Sequence, residues 1–488
     1  MKKTPPLAEI VFSSSDPAES KRISRQVKAG RLRKIAPRIY GASDEPPETL
    51  IRRNWLEIVA HYFPGATLSH RTAFRGLSLQ GVQEAFVTTT RNRRIVLPGL
   101  TLRAIEGPGP DALDMALPMG LFLASVPRQL LENLQPSRAR KTLAKSVGVV
   151  EVESFLERQL RIKGEAAVNA LRDDARVVSK RLGLTREFTQ LDQLIGALLR
   201  TRPAATLHTR AGLGRARGEP YDPDRLTRFE LLVDALKRNP VEFRGESAQG
   251  WENSAFFDAY FSNYIEGTEF EVDQAAAVIF EGRIMQDRPK DSHDILGTYQ
   301  VTSNRAAMQT TPESVEDLLQ LIKRRHLALF AQRPEIRAGE FKTEINRAGD
   351  TVFVHPELVR GTLLRGFDLY QGLAPGFERA AYLMFLISEV HPMVDGNGRL
   401  SRLFMNAELV SSGQSRILIP TVYREDYLLN LRRLSRDDEP LPFISMMDRA
   451  HRFTSRIDFS DYAQAKAQLA ACNAFKESYE GVLRMPED

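Results

Sequence analysis

A single cysteine, Cys472, in 488 residues excludes a disulfide framework and a cysteine-built zinc site. The same scarcity makes a reducing cytosol the natural home of the chain. Long apolar runs are missing too. No stretch approaches the roughly 20 apolar residues needed to cross a bilayer, and the longest candidate, Ala380 to Val390, reads as a buried helix. Met1 to Pro6 carry charge, but no apolar run of signal-peptide length follows them. Membrane association is therefore not expected. Internal repeats and low-complexity tracts are also lacking. A hydrophobic content of 42% and a charged content of 27% are those of a globular chain. Its length exceeds one ordinary core, so two or three domains are expected.

The formal charge of +6 is mild over 488 residues, and its distribution carries more information. Lys21 to Arg38 holds eight basic residues and no acidic one, which points to a polyanion at the amino-terminal end. Asp16 to Ala29 reads as a helix with Pro17 at a first helical position and Gly30 as its stop. Arg31 to Tyr40 alternates apolar and basic residues, as an exposed strand or wing would. Trp55 to Phe63 reads as an amphipathic helix and Val82 to Leu102 as strand-rich. A helical pattern is expected from Asp111 to about Arg200. Gly212 to Pro223 (GLGRARGEPYDP) has the composition of a linker. Helices are expected from Arg225 to the end, with one extended stretch near Phe341 to Val354. The division read from these signals is 1–110, 111–211, 225–455 and a helical tail over 456–488.

The densest chemistry lies in His391 to Arg402, HPMVDGNGRLSR. Phe377 to Val390 is an apolar helix that Pro392 cannot continue, so His391 is placed at a helix end. Asp395 follows four residues later. Gly396 and Gly398 allow backbone turns in which N–H groups converge, and a second helix starting near Asn397 supplies an anion site. Arg399 and Arg402, three apart, share a helix face. Together these residues provide a base of near-neutral pKa, a carboxylate for Mg²⁺, a backbone nest and two guanidinium groups. Phosphoryl or nucleotidyl transfer needs each of them. A GNG loop alone is only a turn, but the letters DGNGR recur by chance on the order of once in 10⁶ positions.

The segment resembles the motif HxFx(D/E)GNGRxxR of the Fic (fido) family. It matches at His391, Asp395, Gly396, Asn397, Gly398, Arg399 and Arg402, and has Met393 in place of the phenylalanine. The resemblance implies an all-α Fic domain with a small β-hairpin flap, and transfer of AMP from ATP to a Ser, Thr or Tyr hydroxyl of a target protein. It makes His391 the base, Asp395 the Mg²⁺ ligand, and Gly396, Asn397, Gly398, Arg399 and Arg402 the nucleotide site. Gly339 to Val354 resembles the flap, with Lys342 where arginine is common and the glycine pair of the turn missing. Tyr427 matches a tyrosine near the nucleotide base; its alternative is a core aromatic on a helix face. Ser262 to Gly267, SNYIEG, resembles the family's inhibitory motif, which implies that Glu266 pairs with Arg402 and restrains activity. Serine and glutamate four apart also occur on ordinary surface helices.

Residues 7–42, with Thr67 to Gly76, resemble the winged helix of AbiEi-type antitoxin and regulator proteins. The fold expected overall is mainly α, with an α+β winged-helix-type amino-terminal region. Lys21, Arg25 and Lys28 would enter a groove of double-stranded DNA, with Arg31 and Arg33 along phosphates; a solvated basic face or a surface for an acidic protein is the alternative. Two other readings of the carboxy-terminal half stay open. One is removal of AMP or transfer of another phosphate-containing group; the other is an ATP-sensing, DNA-binding regulator. The pattern also leaves room for a homo-oligomer.

Overall fold

In the computed structural model of the chain, residues 8–79, 81–137, 143–247, 249–268, 270–349 and 351–486 are described. The charged Met1 to Pro6 and Asp350 of the flap segment lie outside them. The chain divides into two compact units, 1–216 and 217–488.

In the first unit, Pro17–Lys28 is helical because Asp16 accepts from the N–H groups of Ala18 and Glu19, at 2.7 and 3.0 Å, just ahead of Pro17. A three-stranded antiparallel sheet accompanies it, in the order Ile10–Phe12, Ile39–Gly41, Arg33–Ala36. The first of these strands was not anticipated; three residues are too short to show a period of two. Ile10, Ile35 and Ile39 pack with Leu50, Trp55 and Ile58 into one core.

A mixed six-stranded sheet follows, with Glu84–Thr89 and Leu100–Glu106 parallel at its centre. Met115–Ala116 and Phe122–Leu123 close one side of it, where a helical pattern was expected from Asp111. Strands of two residues carry no periodicity of their own; pairing of Phe122–Leu123 with Thr67–Leu68, and of Met115–Ala116 with Phe122–Leu123, decides them. The helices begin at Val126 and form a second core through Val149–Leu182 and Thr185–Leu198.

The expected linker at Gly212 to Pro223 is partly wrong, because Arg210–Ala216 is a helix. Buried Glu153 accepts from the N–H groups of His208 and Thr209 at 2.7 and 2.9 Å and docks that helix onto the first unit. A tertiary contact overrides the turn-forming composition here.

Among its described residues the second unit is helical apart from two isolated bridges and a hairpin pairing Arg347–Ala348 with Thr351–Val352, the flap's place. Phe377–Val390 starts and ends, and Asn397–Ser411 starts, where the sequence placed them, and both are buried nearly all round. A helix without a polar face belongs inside a core. Around them pack Pro223–Arg238, Pro356–Tyr370 and Pro440–Thr454. The tail contributes the helix Tyr462–Ala471. Among the described residues, no helix is long and apolar enough to cross a membrane.

Candidate active site

The loop between the two central helices is fixed residue by residue. His391 caps Phe377–Val390 in the left-handed region, φ 52°, which turns the chain before Pro392. Asn397 then closes the loop on itself: its Oδ1 accepts from Met393 N and its Nδ2 donates to Met393 O, each at 2.9 Å. Met393 is fully buried beneath. Gly396 has φ 72°, and a Cβ there would lie 2.2 Å from the ring of Phe330. No other residue type fits that crossing.

His391 Nδ1 lies 3.2 Å from the carbonyl of Ser388. That bond places the proton on Nδ1 and leaves the Nε2 lone pair free to accept one. Phe353 stacks on the imidazole at 3.7 Å and 11°. Burial draws its pKa down to about 4; the Ser388 carbonyl opposes this, and the Lys342 charge adds to it. The imidazole is therefore neutral at pH 7, the form a general base requires.

A cavity of about 530 Å³ opens beside it, lined by His391, Gly398, Arg402, Tyr427 and Glu266. The hairpin lends Ala348, Gly349 and Thr351, and the helix Arg424–Asp437 lends Leu431, Arg432 and Arg436. Of the residues singled out in the sequence, five meet here. Asp395, Gly396, Asn397, Arg399 and Ser262 are not among the lining residues.

The two arginines diverge. Three residues on a helix are about 60° apart around the axis, enough to send Arg399 away from the cavity. Its Nη1 donates to Asp294 at 2.6 Å and Asn263 at 3.2 Å, and its guanidinium lies 4.4 Å over Phe330. Arg402 faces the cavity with its donors occupied. Nε donates to Ser262 Oγ at 3.0 Å; Nη2 donates to Ser262 O and Glu266 Oε1, both at 2.7 Å; Nη1 reaches the Tyr427 hydroxyl at 3.5 Å. Glu266 caps the end of Trp251–Ile265. Its carboxylate lies so close over Gly398 that a Cβ there would be 2.1 Å from Oε1. An acidic side chain of the protein itself thus stands at the start of Asn397–Ser411, where a helix attracts anions.

Asp395 is exposed, and its Oδ1 accepts from Gly396 N at 2.6 Å. Its backbone is held by His326, which the sequence reading missed. His326 Nε2 bonds the Asp395 carbonyl at 3.0 Å, and Nδ1 accepts from Gly339 N at 2.9 Å. A lone histidine in RRHLAL gives no sign of this; only the approach of three segments does. Asp294 was missed for the same reason: its Oδ2 joins Arg399 and Arg333, at 2.6 and 2.8 Å. His326→Leu should strand two part-buried backbone groups at up to about 1–3 kcal/mol each, which denaturant unfolding would register as a lowered midpoint. An unchanged midpoint would mean that the loop does not depend on this histidine.

In the first unit, Lys21, Arg25, Lys28 and Arg31 are exposed. Arg33 is half-buried, and its guanidinium donates to the carbonyls of Ser43, at 3.0 Å, and Glu45.

Residues 314–409 match the Fic/DOC family model. Among curated proteins, protein adenylyltransferase Fic of Drosophila persimilis is 26% identical over 236 residues, covering 46% of this chain and 45% of that protein. The Drosophila virilis counterpart is 27% identical, covering 46% and 47%. The aligned region spans about half the length of these curated relatives. Among solved structures, Fic-1 of C. elegans is similar at 21% identity and TM-score 0.36, over 69% of this chain and 97% of that one. A Fic domain-containing signalling protein of Bacteroides thetaiotaomicron is similar at 20% and 0.35, over 50% and 96%. The carboxy-terminal unit of this chain carries a Fic/DOC-family domain.

Proposed function

We propose that the cavity binds ATP and that the protein transfers AMP to a Ser, Thr or Tyr hydroxyl of a target protein. The observation that carries this reading is the single imidazole whose Nδ1 is tied to Ser388 and whose Nε2 is free beside Arg402 and a helix start. In the step proposed, the hydroxyl oxygen bonds to the α-phosphorus and the bond to the β-phosphate bridging oxygen breaks. The proton passes to His391 Nε2, and pyrophosphate leaves. Arg402 and the N–H groups at the start of Asn397–Ser411 would stabilise the charge on the phosphates. Arg399, engaged by Asp294, serves first to hold that helix start and reaches phosphate only by exchanging partners. Tyr427, on the cavity wall, would lie near the base. Incubating the protein with α-labelled ATP and a cell lysate tests the reading. Label on protein supports it, whereas nucleotide binding without transfer favours an ATP sensor.

Asp395 suits Mg²⁺: it is an exposed carboxylate beside the loop with one oxygen uncommitted, and magnesium takes one or two carboxylates together with substrate phosphates. Bound there, the ion would neutralise phosphate charge. Asp395→Ala is expected to lose most Mg²⁺-dependent transfer while metal-free nucleotide affinity changes little. Equal Mg²⁺ titrations of the two proteins would remove the assignment.

Glu266 is proposed as an inhibitory residue, since its carboxylate takes both the Arg402 guanidinium and the space above Gly398. A second reading concerns the first unit. Four cations exposed along and just beyond one helix, Lys21, Arg25, Lys28 and Arg31, favour a winged-helix-type contact with double-stranded DNA. Arg33 is left out of that set by its bonds to Ser43 and Glu45. Each phosphate neutralised should add about −0.9 to the slope of log K against log salt. Reversing Lys28 and Arg31 to glutamate should flatten that slope; no DNA shift at low salt would leave only a solvated basic face.

A further inference from the structure

The segment leading into the hairpin holds a buried lysine that the reaction does not use. Lys342 is 4% exposed. Its Nζ donates to Asn346 Oδ1 at 2.8 Å and to the carbonyl of Val390 at 3.3 Å, while its backbone N–H donates to Pro392 O at 2.9 Å. Asn346 Nδ2 in turn donates to Met393 O at 2.9 Å. Three carbonyls that bracket His391, those of residues 390, 392 and 393, are thus gripped by two side chains and one N–H of the hairpin segment. Further along the same segment, Phe353 covers the imidazole face.

We propose that Lys342 and Asn346 form a positioning clamp that sets His391 by the placement of the hairpin segment, so that this segment and the base move as one body. This rests on the transferase reading above. A misplacement of about 1 Å can cost roughly 10²-fold in rate, and among the described residues no side chain is hydrogen-bonded to the His391 imidazole, whose one bond is to the Ser388 carbonyl. Lysine suits the place because three donors on one atom can serve a side-chain oxygen and a carbonyl at once. The lysine also carries charge toward the base. Its own pKa is drawn down to about 7, first by burial and then by Arg225 of the helix Pro223–Arg238. The charged groups acting on His391 are Lys342 from the hairpin segment, Glu266 from the end of Trp251–Ile265 and Asp395 from the loop; only Lys342 favours the neutral ring.

The test compares Lys342→Met, Lys342→Arg and Asn346→Ala, all carrying Glu266→Gly, against that single variant. It reads kcat and the KM for ATP, and follows the titration of His391 by NMR. The clamp predicts that Lys342→Met lowers kcat at least tenfold with KM for ATP within twofold, and that His391 titrates above its parent value. Lys342→Arg should recover at least half of the lost rate. Asn346→Ala, which leaves Lys342 in place but removes the hairpin segment's bond to Met393 O, should also lower kcat; it decides the matter if Lys342→Met does not fold. Parent-like kcat together with parent-like His391 titration in Lys342→Met overturns the proposal, as does an arginine variant no better than methionine. Should the Glu266→Gly parent itself transfer nothing, the transferase reading fails separately. The His391 titration in Asn346→Ala, which removes no charge, then decides the clamp alone, and an unmoved value rejects it.

Discussion

Glu266→Gly is expected to raise transfer of label from ATP more than tenfold. In the structure the carboxylate holds Arg402 Nη2 at 2.7 Å and fills the space over Gly398. A γ-phosphate brought to the same helix start would meet a like charge and a guanidinium already engaged. At about 4 Å and an effective dielectric near 20, that repulsion reaches ~4 kcal/mol. Glu266 is about one-third exposed on its side chain, so solvent screens part of it, yet about 1.4 kcal/mol is tenfold. Glycine removes the charge and the bulk together. Arg402 stays buried, with Ser262 and Tyr427 as partners, so the fold should tolerate the change. Equal rates for the two proteins, compared side by side with labelled ATP, would sink the inhibitory role.

His391→Ala in the same background is expected to remove that transfer by about 10²–10⁴, the usual worth of a general base, while ATP still binds. The phosphates would be held by Arg402 and the helix start, and neither depends on the imidazole. Calorimetric binding beside the transfer assay separates the two effects. An alanine variant that keeps more than a tenth of the rate would place the base elsewhere.

The pH profile gives a second reading of the same group. Its folded pKa, about 4, lies below the ordinary 6.5 because burial disfavours the imidazolium. The neutral, proton-accepting form therefore persists as pH falls through 6.5, and the acid limb of kcat/KM should lie nearer 4. A limb at 6.5 would mean that the imidazole is hydrated in the working enzyme. The same shift has a stability sign. Below 6.5 the unfolded chain takes up the proton and the folded one does not, so this group weakens the fold as pH falls toward 4.

The catalytic loop was largely legible in the sequence, and the reason is local. The end of Phe377–Val390 and the start of Asn397–Ser411 are set by Pro392 and by glycines at 396 and 398, residue types whose backbone limits act within a few positions. The pairing of Glu266 with Arg402 was also anticipated, but only through resemblance. No local rule joins residues 136 positions apart. What the sequence could not convey was direction. Arg399 and Arg402 share a helix face in one dimension, yet Asp294, Asn263 and Phe330 draw the first away and Ser262, Glu266 and Tyr427 hold the second at the cavity.

By itself, then, the sequence determined the helix–loop–helix that carries His391, the basic helix near the amino terminus and the absence of a disulfide framework. Each follows from residue type and short spacing. Tertiary structure alone decided the rest. It made Gly212 and its neighbours a docked helix rather than a linker, gave two-residue strands to the stretch after Asp111, and brought His326, Lys342 and Asn346 onto the loop's carbonyls. The docked helix and the loop's carbonyls each found a polar partner far away along the chain, which no local rule supplies.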